Sequence, residues 1–195
     1  MRRNEERAAH LQHYTCGRRY RIEYHGFPSS REASMKVAMT YDAPGKKSFK
    51  VLSETGSKLL IDRVLSRLME SEREAALDAE RTALTPANYN FELQGMESGA
   101  RGSEYILGVQ PRVDSKFLYR GKIWVDAVDF AVTRIEAEPA RDPSFWIRKT
   151  EIHHQYLKVG EFWLPEQNRT ETRTRLGGTA DLTIDYFDYK VAGVR

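Results

Sequence analysis

The feature that most constrains the fold of this chain is an alternation of apolar and polar residues that recurs in about ten separate segments. In the segment LYRGKIWVD, Ile123 and Val125 share one phase, whereas Arg120 and Lys122 share the other. Successive side chains of a β-strand point to opposite faces, so each segment of this kind predicts a strand with one face turned away from water. Because short turns separate most of these segments, the sequence predicts a large antiparallel sheet.

Three predicted strands occupy about residues 14–54, and the others occupy about residues 88–192. The stretches GFPSS and DAPGKK separate the first three strands and carry the glycine and proline typical of turns. APGKKS resembles a phosphate loop only superficially, because it lies between two strands and does not open a helix. It predicts a hairpin turn.

One long segment, about residues 57–82, changes to a helical period of about 3.6 residues. Leu60, Val64 and Leu68 form an i, i+4 ridge, with Leu65 beside it. Ser57 is a suitable N-cap for this helix. A second, short helix is predicted at the N-terminus, over about residues 2–13.

Composition sets the class of protein. The 195 residues, 40% of them hydrophobic and 30% charged, predict one globular domain over residues 1–195, and no stretch is long and apolar enough to span a membrane. The net charge of +3 is spread among both signs, which argues against nucleic acid as a partner. The single cysteine excludes an internal disulfide. The start MRRNEERAAHLQHYTC lacks the apolar core of a secretory signal, so an exported protein would be present here as its mature part.

The predicted sheet has more apolar surface than the predicted helices can cover. Ten strands at a spacing of about 4.8 Å make a sheet roughly 48 Å wide, whereas a helix is only about 10–12 Å across. The sequence therefore predicts a mainly β fold with helices, in which a curved antiparallel sheet forms an incomplete barrel. The long helix and the short N-terminal helix close it. A barrel filled by its own side chains is the alternative to one that encloses a ligand cavity.

The residues on the inward phase, together with the ridge of the long helix, are the predicted lining of an apolar cavity. The predicted lining is Tyr20, Ile22, Met35, Val37, Met39, Phe49, Leu60, Val64, Leu65, Leu68, Tyr89, Phe91, Tyr105, Leu107, Ile123 and Val125.

The segment YILGVQPRVDSKFLYRGKIWVDAVDFAVTRIEAEPA and the later KVGEFWLPEQNR resemble members of the LolA/LolB-like superfamily of outer-membrane lipoprotein-sorting carriers. The resemblance implies a half-barrel in the periplasm that shelters the acyl chains of a lipid or lipoprotein without covalent chemistry. It also implies an arginine that controls a helical lid, for which Arg18, Arg120 and Arg134 all remain candidates.

Catalytic and metal-binding patterns are weak in this sequence. His153 and His154 are neighbours on a predicted strand and point to opposite faces, so they cannot hold one metal together. The chain contains no G-x-S-x-G motif, and Cys16 has no evident base nearby in sequence. The sequence predicts no enzyme activity, no cofactor and no metal.

The sequence thus predicts a monomeric, periplasmic carrier of lipid or lipoprotein acyl chains, with protein donors or acceptors at the inner or outer membrane. The alternative is a periplasmic sensor or protein-interaction module of the same fold. That alternative would use an outer surface carrying Trp124, Trp146 and Trp163, each of which falls on the more polar phase of its strand.

Overall fold

The computed structural model describes residues 6–7, 9–77, 79–99, 102–115, 117–141, 147–175 and 177–192. Within these ranges the chain forms ten strands that belong to one sheet. The strands are β1 (His13–His25), β2 (Arg31–Asp42), β3 (Lys46–Gly56), β4 (Tyr89–Gly99), β5 (Gly102–Pro111), β6 (Tyr119–Asp126), β7 (Val132–Pro139), β8 (Ile147–Val159), β9 (Phe162–Thr174) and β10 (Thr179–Val191).

The sheet is antiparallel and curved, and it is not closed into a barrel, as the sequence predicted. Its strand order is β3-β2-β1-β10-β9-β8-β7-β6-β5-β4. Two meanders, β1–β3 and β4–β10, join where β1 pairs with β10. The two edges of the sheet, β3 and β4, are therefore consecutive in the chain, and the helical segment must carry the chain from one edge to the other.

This helical segment consists of α1 (Lys58–Leu60), a π-helical stretch (Ile61–Leu65), α2 (Ser66–Leu77) and α3 (Ala79–Thr82). We call residues 58–77 the crossover helix. Ser57 occupies the predicted N-cap position, where its carbonyl accepts hydrogen bonds from the backbone N–H groups of Leu60 and Ile61, but its side chain makes no capping bond. Among the described residues, none of the helices is both long enough and apolar enough to cross a membrane.

The N-terminal helix is shorter than predicted in its described part. Residues 6–7 and 9–10 are helical, and β1 already begins at His13. Residues 1–5 and 8 lie outside the described residues, so the rest of the prediction of a helix over about 2–13 is not covered.

The crossover helix packs on β2 and β3, and we call the face of the sheet that it covers the inner face. The strand register places one row of side chains across this face, since residues directly opposite each other in paired strands share a face. The row is Leu107, Ile123, Ile135, His154, Asn168, Ile184, Tyr20 and Met35. Its two ends are apolar and its centre is polar.

The apolar ends of this row belong to two separate clusters of buried side chains. The first, which we call the helix cluster, includes Leu60, Ile61 and Leu65 of the crossover helix together with Tyr20, Met35, Val37 and Met39 of β1 and β2. The second, which we call the far cluster, is built on Tyr89, Val109, Leu118, Ile123 and Ile135. A single sheet therefore carries two cores, and the crossover helix contributes to only one of them.

Candidate ligand cavity

An apolar cavity of about 270 Å³ lies between the two clusters. Leu11 and Phe162 pack against or belong to the helix cluster, whereas Leu84, Tyr119 and Ile135 belong to or pack against the far cluster. The lining comprises Arg7, Leu11, Leu84, Tyr119, Ala131, Val132, Ile135, Tyr156, Phe162 and Trp163. The cavity therefore lies at the boundary between the two cores.

The cavity lies where β7 and β8 separate. These strands pair only from Arg134 to Ala137, opposite Gln155 to Ile152, although β8 continues to Val159. A bulge in the β8–β9 pairing begins at the same place, between Gln155 and Tyr156. A bulge bends its strand and increases its twist, and the pairing of β8 with β7 ends at this point.

The lining is electrically neutral apart from its rim. Burial raises the pKa of Tyr156 to about 12 and that of Tyr119 well above its ordinary value, so both phenols stay protonated at neutral pH. The hydroxyl of Tyr89, a residue of the far cluster, accepts a hydrogen bond from the Tyr119 backbone N–H at 3.3 Å. The interior of the cavity suits a hydrocarbon group better than an ion, because an unpaired charge there would lose its hydration.

Charged groups of the β6–β7 hairpin and of β8 form the rim, where they contact the lining residues Trp163 and Arg7. The Asp126 carboxylate accepts hydrogen bonds from the N–H groups of Val128 and Asp129, which fixes the turn and presents the Asp129 side chain. Asp129 Oδ2 then accepts from Trp163 Nε1 at 2.8 Å and lies 2.6 Å from Lys158 Nζ. Hydrogen bonds from Lys158 and Trp163 hold the pKa of Asp129 below its ordinary value, so it is a carboxylate at neutral pH.

Arg7 completes the rim from the N-terminal side. Its Nη2 donates to the backbone carbonyl of Asp129 at 2.9 Å. Because Arg7 also lines the cavity, this bond connects the N-terminal segment to the β6–β7 hairpin beside the cavity.

Most of the sixteen predicted lining residues are in or against the two clusters. Ten are in or against the helix cluster, namely Tyr20, Ile22, Met35, Val37, Met39, Phe49, Leu60, Val64, Leu65 and Leu68. Five are in or against the far cluster, namely Tyr89, Phe91, Leu107, Ile123 and Val125. The remaining residue, Tyr105, stacks on Phe130 with ring centroids 6.4 Å apart. None of the sixteen lines the cavity between the clusters.

Arg18 is the principal residue of the inner face that sequence reasoning did not single out as buried. Only 2% of its side chain is exposed, and Nη1 and Nη2 donate to Glu72 of the crossover helix at 2.7 and 3.1 Å. Its guanidinium lies over the Phe49 and Tyr186 rings, 5.2 and 4.8 Å from their centroids.

Of the three candidate arginines, Arg18 is hydrogen-bonded to the crossover helix through Glu72. Arg120 pairs with Glu138, which is partly exposed. Arg134 pairs with Glu97 and stacks on Trp124, with its guanidinium carbon 3.7 Å from the ring centroid. Glu72 receives a further bond from Lys47 of β3 at 2.7 Å. The buried ion pair therefore connects the crossover helix to β1 and β3.

A polar strip separates the clusters at the centre of the inner face. His154 of β8 lies directly opposite Ile135 of β7 on one side and Asn168 of β9 on the other. Burial, with a smaller effect of His153, lowers the pKa of His154 to about 4, so the imidazole is neutral at pH 7. Asn168 Nδ2 donates to the Tyr186 hydroxyl at 2.9 Å, whereas its buried Oδ1 has no hydrogen-bond partner among the described residues.

The two tryptophans that the structure describes do not form one exposed patch. Trp124 is buried beneath Arg134, and Trp163 is at the rim of the cavity. Trp146 lies outside the described residues. The hypothesis of a joint tryptophan docking surface therefore fails for Trp124, because the stacked guanidinium covers its ring.

The outer face carries a second, more open groove of about 600 Å³ near β4–β8. Its walls carry both signs of charge, including the Arg120–Glu138 and Lys149–Glu151 pairs. Among the described residues, no group of three or more histidine, cysteine or acidic side chains is arranged to hold a metal ion.

No family model and no curated protein matches the sequence. Several solved structures align with most of the chain at low sequence identity and with TM-scores below 0.5. A DUF1329 family protein from Desulfovibrio piger is 12% identical and has a TM-score of 0.45, with 96% of this chain and 89% of that chain covered. A LolA superfamily protein from Nitrosomonas europaea is 13% identical, covers 95% of this chain and 88% of that chain, and has a TM-score of 0.38.

A domain from Vibrio parahaemolyticus, named for outer membrane lipoprotein sorting, is 9% identical and has a TM-score of 0.39, with 97% of this chain and 91% of that chain covered. Structures of the superfamily that the sequence resembles are thus among the structural neighbours of this chain. None of these similarities identifies an activity for the chain.

Proposed function

We propose that this protein is a non-catalytic binding or carrier protein that holds one acyl chain of a lipid or lipoprotein in the cavity between the two clusters. The observation that carries the proposal is the cavity itself, which has an apolar interior and charged groups only at its rim. Binding of this kind requires no reacting group, because each buried methylene stabilises the complex by about 0.8 kcal/mol.

The size of the cavity limits the ligand. Its volume of about 270 Å³ is slightly below the range of roughly 300–1,000 Å³ typical of small-molecule sites. It therefore suits one acyl segment, and several chains would need additional space.

The proposal includes the periplasmic location and the sorting role that the sequence resemblance implies, and a monomeric chain that acts as one domain over residues 1–195. Fractionation of cells into periplasm and cytoplasm tests the location. Size-exclusion chromatography with light scattering tests the monomer.

Titration of the delipidated protein with the apolar fluorescent probe N-phenyl-1-naphthylamine tests acyl binding. We expect saturable fluorescence enhancement with one site per chain, reversed by competition with a long-chain alcohol. Linear, non-saturable enhancement that no alkyl ligand reverses would refute the proposal.

A second candidate function is protein binding at the edge strand β4. Leu93 and Met96 of β4 are both more than half exposed. They are opposite Leu107 and Tyr105 of β5 and therefore share the inner face beyond the far cluster. Recovery of a partner that is lost in Leu93→Glu, while the naphthylamine probe still binds, would favour this function over acyl transport.

A further inference from the structure

A second groove, whose surface is mainly apolar and whose charged groups are Asp126, Asp129 and Lys158, adjoins the cavity at Trp163. The groove has a volume of about 390 Å³ and lies between the β6–β7 and β8–β9 hairpins. Trp163 lines both the cavity and the groove, so they meet at its indole ring. The groove is lined by Asp126, Val128, Asp129, Leu157, Lys158 and Trp163.

The groove offers charges of both signs within a short distance. Lys158 and Asp129 form an ion pair at 2.6 Å, and Arg7, which lines the cavity and not the groove, binds the Asp129 backbone carbonyl. The Lys158 side chain is about half exposed. Exposed pairs of this kind stabilise a protein only weakly, so a ligand that replaces the contact with two contacts of its own can separate the two side chains at little cost.

We propose that this groove binds the zwitterionic head of a single-chain lipid, in which a phosphate and a primary amine are joined by a short link. This inference deepens the proposed function, because it depends on the acyl chain of the same molecule lying in the cavity. The phosphate pairs with the Lys158 ammonium, and the amine donates to the Asp129 carboxylate. Trp163 lies between head and chain, an interfacial position that suits its apolar ring and polar N–H.

The two charges of the groove discriminate among lipid heads. A head that is only anionic gains the Lys158 contact but brings its charge close to the Asp129 and Asp126 carboxylates, which repel it. A quaternary amine keeps the positive charge but has no N–H to donate to Asp129. A primary amine with a phosphate satisfies both Lys158 and Asp129.

Competition against bound N-phenyl-1-naphthylamine tests the inference. Lysophosphatidylethanolamine and lysophosphatidylglycerol with the same acyl chain are titrated in parallel, below the concentration at which either forms micelles. We expect lysophosphatidylethanolamine to compete at about fivefold lower concentration, the ratio that one additional solvent-exposed charge pair supplies. Equal competition by the two lipids would overturn the inference and leave acyl binding intact. Failure of the probe to bind would overturn the proposed function and this inference together.

Variants locate the preference in the groove. Asp129→Asn should bring the ratio between the two lipids close to one, because the neutral amide forms no ion pair with the ammonium. Lys158→Met should weaken competition by both lipids and serves as the second test if Asp129→Asn does not fold. The matched control is Glu138→Gln, which breaks the Arg120–Glu138 pair outside the groove and should keep the fivefold ratio. A ratio unchanged in Asp129→Asn would overturn the inference.

Discussion

Arg18 of β1 and Glu72 of the crossover helix form a two-bond ion pair at 2.7 and 3.1 Å on the inner face of the sheet. Burial alone would raise the pKa of Glu72, but the charges and hydrogen bonds of Arg18 and Lys47 lower it below its ordinary value. The pair fixes α2 over the first meander, so the position of the helix depends on a polar contact as well as on apolar packing.

Replacement of Glu72 by alanine tests the energetic weight of this pair. We expect the free energy of unfolding to fall by about 3 kcal/mol, because the buried Arg18 guanidinium loses its carboxylate partner. Chemical denaturation measures the loss. Glu138→Gln, which breaks the partly exposed pair with Arg120, should cost less than about 1 kcal/mol. Equal losses in the two variants would show that Arg18 does not depend on Glu72.

Filling the cavity should weaken acyl binding. In Val132→Trp the indole occupies space between the clusters, and we expect the dissociation constant of N-phenyl-1-naphthylamine to rise at least about tenfold, which corresponds to roughly 1.4 kcal/mol. Fluorescence titration measures the change. Val113→Trp places the same side chain at an exposed site and should leave the constant unchanged. If the dissociation constant of the probe is the same for Val132→Trp and for the unaltered protein, the probe occupies another site.

The helix cluster should depend on Leu65 far more than on its neighbour in the helix, Leu59. Leu65 is fully buried, whereas Leu59 is nearly half exposed. Leu65→Ala should lower the free energy of unfolding by about 2–5 kcal/mol, and Leu59→Ala by less than about 0.5 kcal/mol. Thermal or chemical unfolding of both variants measures the difference. Similar losses would mean that the crossover helix does not pack on the sheet through this ridge.

His154 should make stability depend on pH. Its pKa is about 4 in the folded protein, against about 6.5 in an unfolded chain, so between these values the unfolded state binds the additional proton. The contribution of neutral His154 to the free energy of unfolding is therefore complete above about pH 6.5. It decreases as the pH is lowered towards 4, by up to about 3 kcal/mol.

The variant His154→Gln should lose this part of the pH dependence, since glutamine does not titrate. Chemical denaturation at pH 7 and at pH 4.5 measures the free energy of unfolding under both conditions, and its change between them should be smaller in the variant than in the unaltered protein. His25→Gln removes an exposed histidine and should follow the unaltered protein. An identical profile for His154→Gln would show that His154 is protonated as easily in the folded protein as in the unfolded chain.

Local periodicity was sufficient to predict the strands and the long helix. The two-residue period of β6 and the 3.6-residue period around Leu60 and Leu65 describe contacts within one element, and the structure has those elements in the predicted order. The DAPGKK turn is likewise a hairpin between β2 and β3. Such signals are strong because one buried face imposes a pattern on every residue of its element.

The cavity could not be predicted in this way, because it depends on breaks in the periodicity. A bulge between Trp124 and Val125 lets Val132 and Ile135, which have opposite phases in sequence, pack in the same far cluster. The separation of the two strands, before Arg134 in β7 and after Gln155 in β8, does not change the alternation of apolar and polar residues.

The burial of Arg18 could not be predicted from the local sequence pattern either. Arg18 falls on the same phase as Cys16 and Tyr20, but an arginine in an apolar row is normally expected at the surface. Its partner Glu72 is 54 residues away in the chain. Only the tertiary structure brings the two charges together and makes the burial tolerable.

Native mass spectrometry of freshly purified protein tests the central claim most directly. The account predicts a population whose mass exceeds that of the chain by one lipid, absent from Val132→Trp and retained in Val113→Trp. Bare chain in every preparation, or the same lipid retained in Val132→Trp, would contradict a carrier that holds an acyl chain between the two clusters.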